Sequence, residues 1–337
     1  MDRRAFLTDS LGAAASVSLP AHLRPLTPPG TSGSVGTTHL LELREGLHSL
    51  FQLDDAYGGA AVRSLALRHL RRVIRVIDTG TYPDTIGRQL KLLAGEITGW
   101  CGWLHYDANH QDTARRYWGE ALTTAATLGD ANLEILVFSQ MSLQASCEGR
   151  PQDGLDLARA GQERATRLGS PVLQSIMACR ETRALSGMAD GKTAGRRLAD
   201  AMRLLDHKGR GRPSSEWAAF HGPTEVEYCQ GLLYNELGNH QAAVPFFRAS
   251  LAHQRSSYGR NRALYRLMLA NTLVKADEVE EGAAYAVETL GHLDEVESGR
   301  VLRRLAEVAN ALRPVDTASA RNAVEQLDDY ARSKSAA

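Results

Sequence analysis

The sequence predicts an all-α protein, an α-solenoid of about seven antiparallel helix pairs. Three observations lead there. Apolar residues recur at helical spacing, and strand-like alternation is rare. Small residues recur in register, at positions 114, 154, 194, 243 and 282, separated by 40, 40, 49 and 39. The chain has 337 residues, 43% of them hydrophobic and 23% charged, enough to bury a continuous core.

Residues 1–38 differ from the rest. Arg3-Arg4-Ala5-Phe6-Leu7 opens the chain, a small-residue run from Leu11 to Leu19 follows, and Pro20, Pro25, Pro28 and Pro29 lead into Gly- and Ser-rich residues. One reading is a flexible tail and linker on a cytoplasmic protein. The other is a twin-arginine-like export signal, although Asp2, Asp9 and the absence of a small-residue cleavage site fit it poorly.

From residue 39 to 332 one helical-repeat domain is expected. Val62, Leu65, Leu70, Val73, Ile74 and Ile77 recur at helical spacing, and Arg68, Arg71, Arg72 and Arg75 form a basic stripe opposite the Leu65, Val73 and Ile77 face, expected to be solvated. Ser170-Pro171 is an N-cap followed by a first-turn proline. Gly149, Gly187 and Gly238 sit where helices should end, and Pro314 ends another. Pro245 should kink its helix or mark a later start. Lys208-Gly-Arg-Gly-Arg-Pro-Ser-Ser is a loop and accounts for the separation of 49.

The repeat itself is clearest from Gly231 to Leu251. Gly231, Tyr234 and Gly238 precede Ala243, Phe247 and Ser250, a pattern that resembles the tetratricopeptide repeat. A small residue on the first helix lets the second approach, and the large one fills the hole between pairs. Weaker copies place Gly102 before Ala114, Trp118 and Ala121, and Ser142 and Gly149 before Gly154, Ala158 and Gly161. Ala194, Leu198 and Ala201 form another set, and Ala270 precedes Gly282 and Ala286.

The order of features is narrower still. Ser214-Ser-Glu-Trp217-Ala-Ala-Phe220, the Gly231–Leu251 repeat, Ser257 to Tyr265, Asp277 to Ala283 and Ser298 to Leu305 follow one another. They resemble the C-terminal half of actinobacterial XRE-type helix-turn-helix transcriptional regulators, as does Asp2-Arg-Arg-Ala-Phe-Leu7 in the linker. The helix-turn-helix takes about 60 residues, and one residue stands before the linker here. The resemblance therefore implies the sensing or interaction half of a regulator, without its DNA reader. The resemblance leaves open a related regulator, a small signal or a peptide as what it binds; in related helical-repeat regulators of other bacteria the concave surface captures peptides.

Chemistry of other kinds finds little support. Thirty-nine acidic groups balance 39 Lys plus Arg, which removes a general attraction to nucleic acid or anionic lipid. Metalloprotease, nucleophile-elbow, Walker and dinucleotide motifs are all missing, so no enzyme, cofactor or metal site is expected. Cys101, Cys147, Cys179 and Cys229 have no zinc spacing and are expected in the core. Arg300, Arg303 and Arg304 are expected on a solvated face. No stretch is apolar enough for a spanning helix, so no membrane partner is expected.

A ligand is expected in the groove lined by the first helix of each pair. Counting from the small positions, that face should hold Trp103, Tyr106, Arg183, Tyr228, Asn235, Asn271 and Lys275. Asn can bond a peptide amide at donor and acceptor, Tyr and Trp add rigid area, and Arg183 or Lys275 can meet a carboxylate. The expected partner is a protein or peptide, including a helix-turn-helix regulator, or a small-molecule signal. A homodimer stays open, because the last helix, from Ala318, is also compatible with a solenoid cap.

Overall fold

Among the described residues, helices of 12 to 24 residues follow one another, most of them separated by short polar turns. The computed structural model describes residues 34–57, 59–207, 215–253, 259–293, 296 and 298–335. The twin-arginine-like motif and the 208–214 loop lie outside the described residues.

Among the described residues, fourteen α-helices form seven antiparallel pairs: α1 (Thr37–Tyr57) with α2 (Gly59–Thr79), and α3 (Asp84–Asp107) with α4 (Gln111–Leu128). The next two pairs are α5 (Ala131–Cys147) with α6 (Pro151–Leu168), and α7 (Pro171–Gly187) with α8 (Gly191–Asp206). One 3-10 turn, Glu216–Ala218, precedes α9 (Pro223–Glu236) and its partner α10 (His240–His253). The chain closes with α11 (Gly259–Lys275) and α12 (Val279–Leu290), then α13 (Gly299–Leu312) and α14 (Ala318–Ser335). No strand occurs among the described residues.

Local signals account for the boundaries. Asp130, Ser170, Asp190 and Ser298 each accept a hydrogen bond from the backbone N–H three residues on. Pro151, Pro171 and Pro223 occupy first turns, where no N–H is needed. Five turns from a first to a second helix pass through a left-handed residue: Asn109, Gly149, Ala189, Gly238 and Asp277. Each lies five residues before the recurring small residue, so the separations of 40, 40, 49 and 39 reappear in the backbone. Gly187 ends α7 as expected, and Ala189 two residues on takes the left-handed conformation at φ 60.

The small–large pairing supplies the packing. A Cβ on Gly231 would lie 2.7 Å from the Phe247 ring, and one on Gly102 would overlap the Trp118 indole. The Trp118 N–H donates to the Gly99 carbonyl at 3.0 Å, so the fully buried indole keeps its hydrogen bond. Ala114, Ala158, Ala194, Ala243 and Ala286 are all buried. Pro245 sits inside α10, which nevertheless starts at His240.

The curl of the solenoid brings its late helices back onto its early ones. Arg260, at the start of α11, donates to Asp54 of α1 at 2.6 Å, with both side chains at most 5% exposed. Gly299 packs on the backbone of Ala108, where a Cβ would come within 2.9 Å. Arg300 reaches Asp107 at 3.5 Å. The concave face therefore surrounds a cavity.

Candidate functional site: a cavity enclosed by the first helices

The cavity measures about 680 Å³ and is lined by all seven odd-numbered helices. That volume suits a drug-sized ligand. A partner helix, about 10–12 Å across with its side chains, would fill it within about two turns.

One end carries most of the large apolar side chains, beside the Arg44–Glu96 pair at 3.1 Å. Leu47 and Phe51 of α1, Trp100 of α3, Leu136 of α5 and Ile176 of α7 meet there. Phe51 and Trp100 pack edge to face, centroids 5.1 Å apart. The segment 215–221 lies across this end. Ser215 donates to Asn132 at 2.8 Å, Glu216 pairs with His48 at 2.6 Å, and His221 bonds Ser175 at 2.9 Å. Because the Ser175 hydroxyl donates to the Ala201 carbonyl, His221 Nε2 must be the donor to Ser175. Burial, then Arg180, pushes the His221 imidazole down to about 3. It is neutral at physiological pH.

The other end is polar and cationic. Six of the seven lining arginines, Arg180, Arg183, Arg260, Arg300, Arg303 and Arg304, stand here with Asp54 and Glu225, while Arg44 pairs with Glu96 between α1 and α3. Arg300 lies over the rings of Trp103 and Tyr106, each 5.2 Å from its centroid. Tyr228 and Tyr265 stack at 4.1 Å, and the Tyr265 hydroxyl donates to Glu225. Burial holds the Glu225 carboxyl above its usual range despite that bond and the nearby Arg180 and Arg300. Arg180 donates to the Ser139 carbonyl and hydroxyl at 3.0 and 3.1 Å. Arg183 pairs with Glu236 at 3.8 Å.

Cys147 belongs to this end. Burial raises its thiol, but Arg183, the Tyr106 hydroxyl at 3.4 Å, Arg300 and Arg304 more than offset that and leave it below the ordinary value. Cys101, with burial alone acting on it, is pushed up to about 12. The expectation of four core cysteines thus needs correction at Cys147, which is half-buried against the cavity.

Of the seven groove residues, the structure brings Trp103, Tyr106, Arg183 and Tyr228 together in the cavity wall. It leaves Asn235, Asn271 and Lys275 out. Asn235 accepts from Thr272 at 3.2 Å and bonds His240 at 3.0 Å, inside the α9–α11 packing. Asn271 is buried, and Lys275 is exposed at the end of α11. The reason is the superhelical twist. On α3 the wall runs from Glu96 to Tyr106, near the C-terminal end, whereas on α11 it is confined to Arg260, Asn261, Leu264 and Tyr265 in the first turns. A fixed repeat register therefore overshoots in the late repeats.

Arg300, Arg303 and Arg304 also correct an expectation. They line the cavity, because α13 is a first helix whose charged side faces inward. Amphipathicity marks such a helix but cannot tell which side faces solvent when the interior is itself polar. The stripe on α2 does fit its expectation, with Arg68, Arg71 and Arg75 exposed.

Among the described residues, no group of three His, Cys, Asp or Glu is placed to hold a metal ion, and no helix is long and apolar enough to cross a membrane. No family model and no curated protein matches the chain. One solved structure similar to it is a signal transduction ATPase with numerous domains, carrying a tetratricopeptide repeat sensor, from Pyrococcus horikoshii. The TM-score is 0.48 at 10% identity, over 87% of this chain and 42% of that one, so this chain spans less than half the length of that protein.

Proposed function

We propose that the chain is a non-enzymatic regulatory protein that senses a small-molecule or short-peptide signal in its concave cavity. The observation that carries this reading is the shared concave wall. Seven first helices contribute to one ligand-sized wall, and the seam between α1 and α11 is held by the buried Asp54–Arg260 pair. A ligand touching early and late repeats together alters the free energy of closure, and so the outer surface offered to a partner. By resemblance over Trp217 to Leu305, that partner is a helix-turn-helix regulator in the cytoplasm. Trp103, Tyr106, Arg183 and Tyr228 are the wall residues assigned to the signal.

Native mass spectrometry of the protein purified from its own host tests the reading. One small adduct per chain, released on denaturation, supports it. A chain that carries no adduct and acquires none from a host metabolite extract contradicts it.

A further inference from the structure

We propose that the cavity is selective for an amphipathic monocarboxylic acid, with its carboxylate against the arginines of α7 and α13 and its apolar body along Phe51, Trp100, Leu136 and Ile176. This rests on the sensor reading and names the class of signal. Two observations carry it: a set of hydrogen-bond donors left open, and the charge balance around them.

Arg183 Nε and Arg303 Nε are buried N–H donors with no hydrogen-bond acceptor among the described residues, whereas Arg300 Nη1 faces Asp107 at 3.5 Å. The Arg183 and Arg303 side chains both line the cavity. Buried donors are rarely left without acceptors, and guanidinium donors least of all, because desolvating them without a partner is costly. A carboxylate offers two oxygens with about four lone-pair sites, which suits forked donors arriving from two helices.

The charge balance sets the valence. Asp54 and Asp107 stand against Arg260 and Arg300, Glu236 against Arg183, and Glu307 against Arg304. Arg180 faces Glu225, whose carboxyl takes the Tyr265 hydroxyl. Among the described residues, Arg303 remains as the lining arginine with no carboxylate set against it. One negative charge neutralises the cluster, whereas a phosphate dianion would meet Glu225 and Asp107 with no further cation to offset it. The apolar side chains of Phe51, Trp100, Leu136 and Ile176 in the wall offer contact to a hydrocarbon or aromatic body.

Decanoate and decanamide share length and apolar surface and differ in charge, so their comparison isolates the head group. Binding is read from the fluorescence of Trp100, Trp103 and Trp217, and from the rate at which iodoacetamide alkylates Cys147. Decanoate is expected to bind at least about tenfold more tightly than decanamide and to slow alkylation of Cys147. Arg183→Gln and Arg303→Gln should each erase most of that preference, bringing the acid–amide ratio of the variant close to one. Should either variant fail to fold, the wild-type acid–amide ratio decides alone. Equal binding of the two probes, or binding of neither, overturns the proposal. A neutral or cationic adduct on the host-purified protein overturns it too, yet leaves the sensor reading standing; an adduct-free chain that takes nothing from an extract removes both.

Discussion

Replacing Arg260 with Met should open the seam and destabilise the protein in a pH-dependent way. Arg260 is 3% exposed, Asp54 is 5% exposed and Asp107 is fully buried; Arg260 lies 2.6 Å from the first and 3.8 Å from the second. Removing one partner of a buried pair typically costs about 3–5 kcal/mol, since the other is left charged in a low-dielectric site. Loss of the guanidinium stacked 5.8 Å from the Trp103 centroid adds up to about 1 kcal/mol. The Asp54 carboxyl sits above its ordinary value even in the intact protein, because burial outweighs the attraction of Arg260. Without Arg260 it rises further. A carboxyl whose folded-state pKa exceeds its unfolded one stabilises most at low pH and loses that contribution as pH rises through the folded value. The Arg260→Met deficit should therefore grow from pH 5 to pH 8, by up to about 1.4 kcal/mol per unit. Urea unfolding followed by far-UV circular dichroism at both pH values measures it. The Asp54→Asn, Arg260→Met double variant should recover at least half of the loss, because no unpaired charge remains. A loss below about 1 kcal/mol that does not change with pH would refute the buried-pair account of closure.

Other consequences are more local. Ala189→Gly should stabilise by about 0.5–1 kcal/mol in thermal melts, since alanine is strained at φ 60 where the equivalent turns use Gly149 and Gly238. Gly231→Ala should cost about 1–2 kcal/mol despite better helix propensity, because its Cβ meets the Phe247 ring, and Phe247→Leu should relieve part of that cost. His221 is neutral in the fold with its pKa depressed, so its contribution is intact above about pH 6.5 and is lost as pH falls below that. Acidification to pH 5 should loosen the 215–221 segment, seen as a change in Trp217 emission that His221→Gln lacks. Iodoacetamide should label Cys147 before Cys101, Cys179 or Cys229, and Arg304→Gln should slow that labelling.

Much of this architecture was legible in the chain. The spacing of Ala114, Gly154, Ala194, Ala243 and Gly282 reports a packing need: one close helix approach per pair, filled by Trp118 or Phe247. That need is local, so a single sequence displays it. The site was only partly legible. Trp103, Tyr106, Arg183 and Tyr228 lie where the repeat register puts them, but Asn235, Asn271 and Lys275 do not, because the wall migrates along the first helices as the superhelix turns. Nor can a register reveal closure. Asp54 and Arg260 are 206 positions apart, and neither stands in a motif. Closure also turned the arginines of α13 inward, and the 215–221 segment across the opening came from an insertion that carries no repeat signal.

The most direct test of the cavity as the binding site compares two affinity purifications from the native host, the wild type and Leu143→Trp. Leu143 lines the cavity from α5, and an indole there would occupy ligand space without disturbing any ion pair named above. Mass spectrometry of the retained material should find a small organic molecule with the wild type and none with the variant. A partner protein held equally by both, with no small molecule in either, would contradict the account and move function to the outer surface of the solenoid.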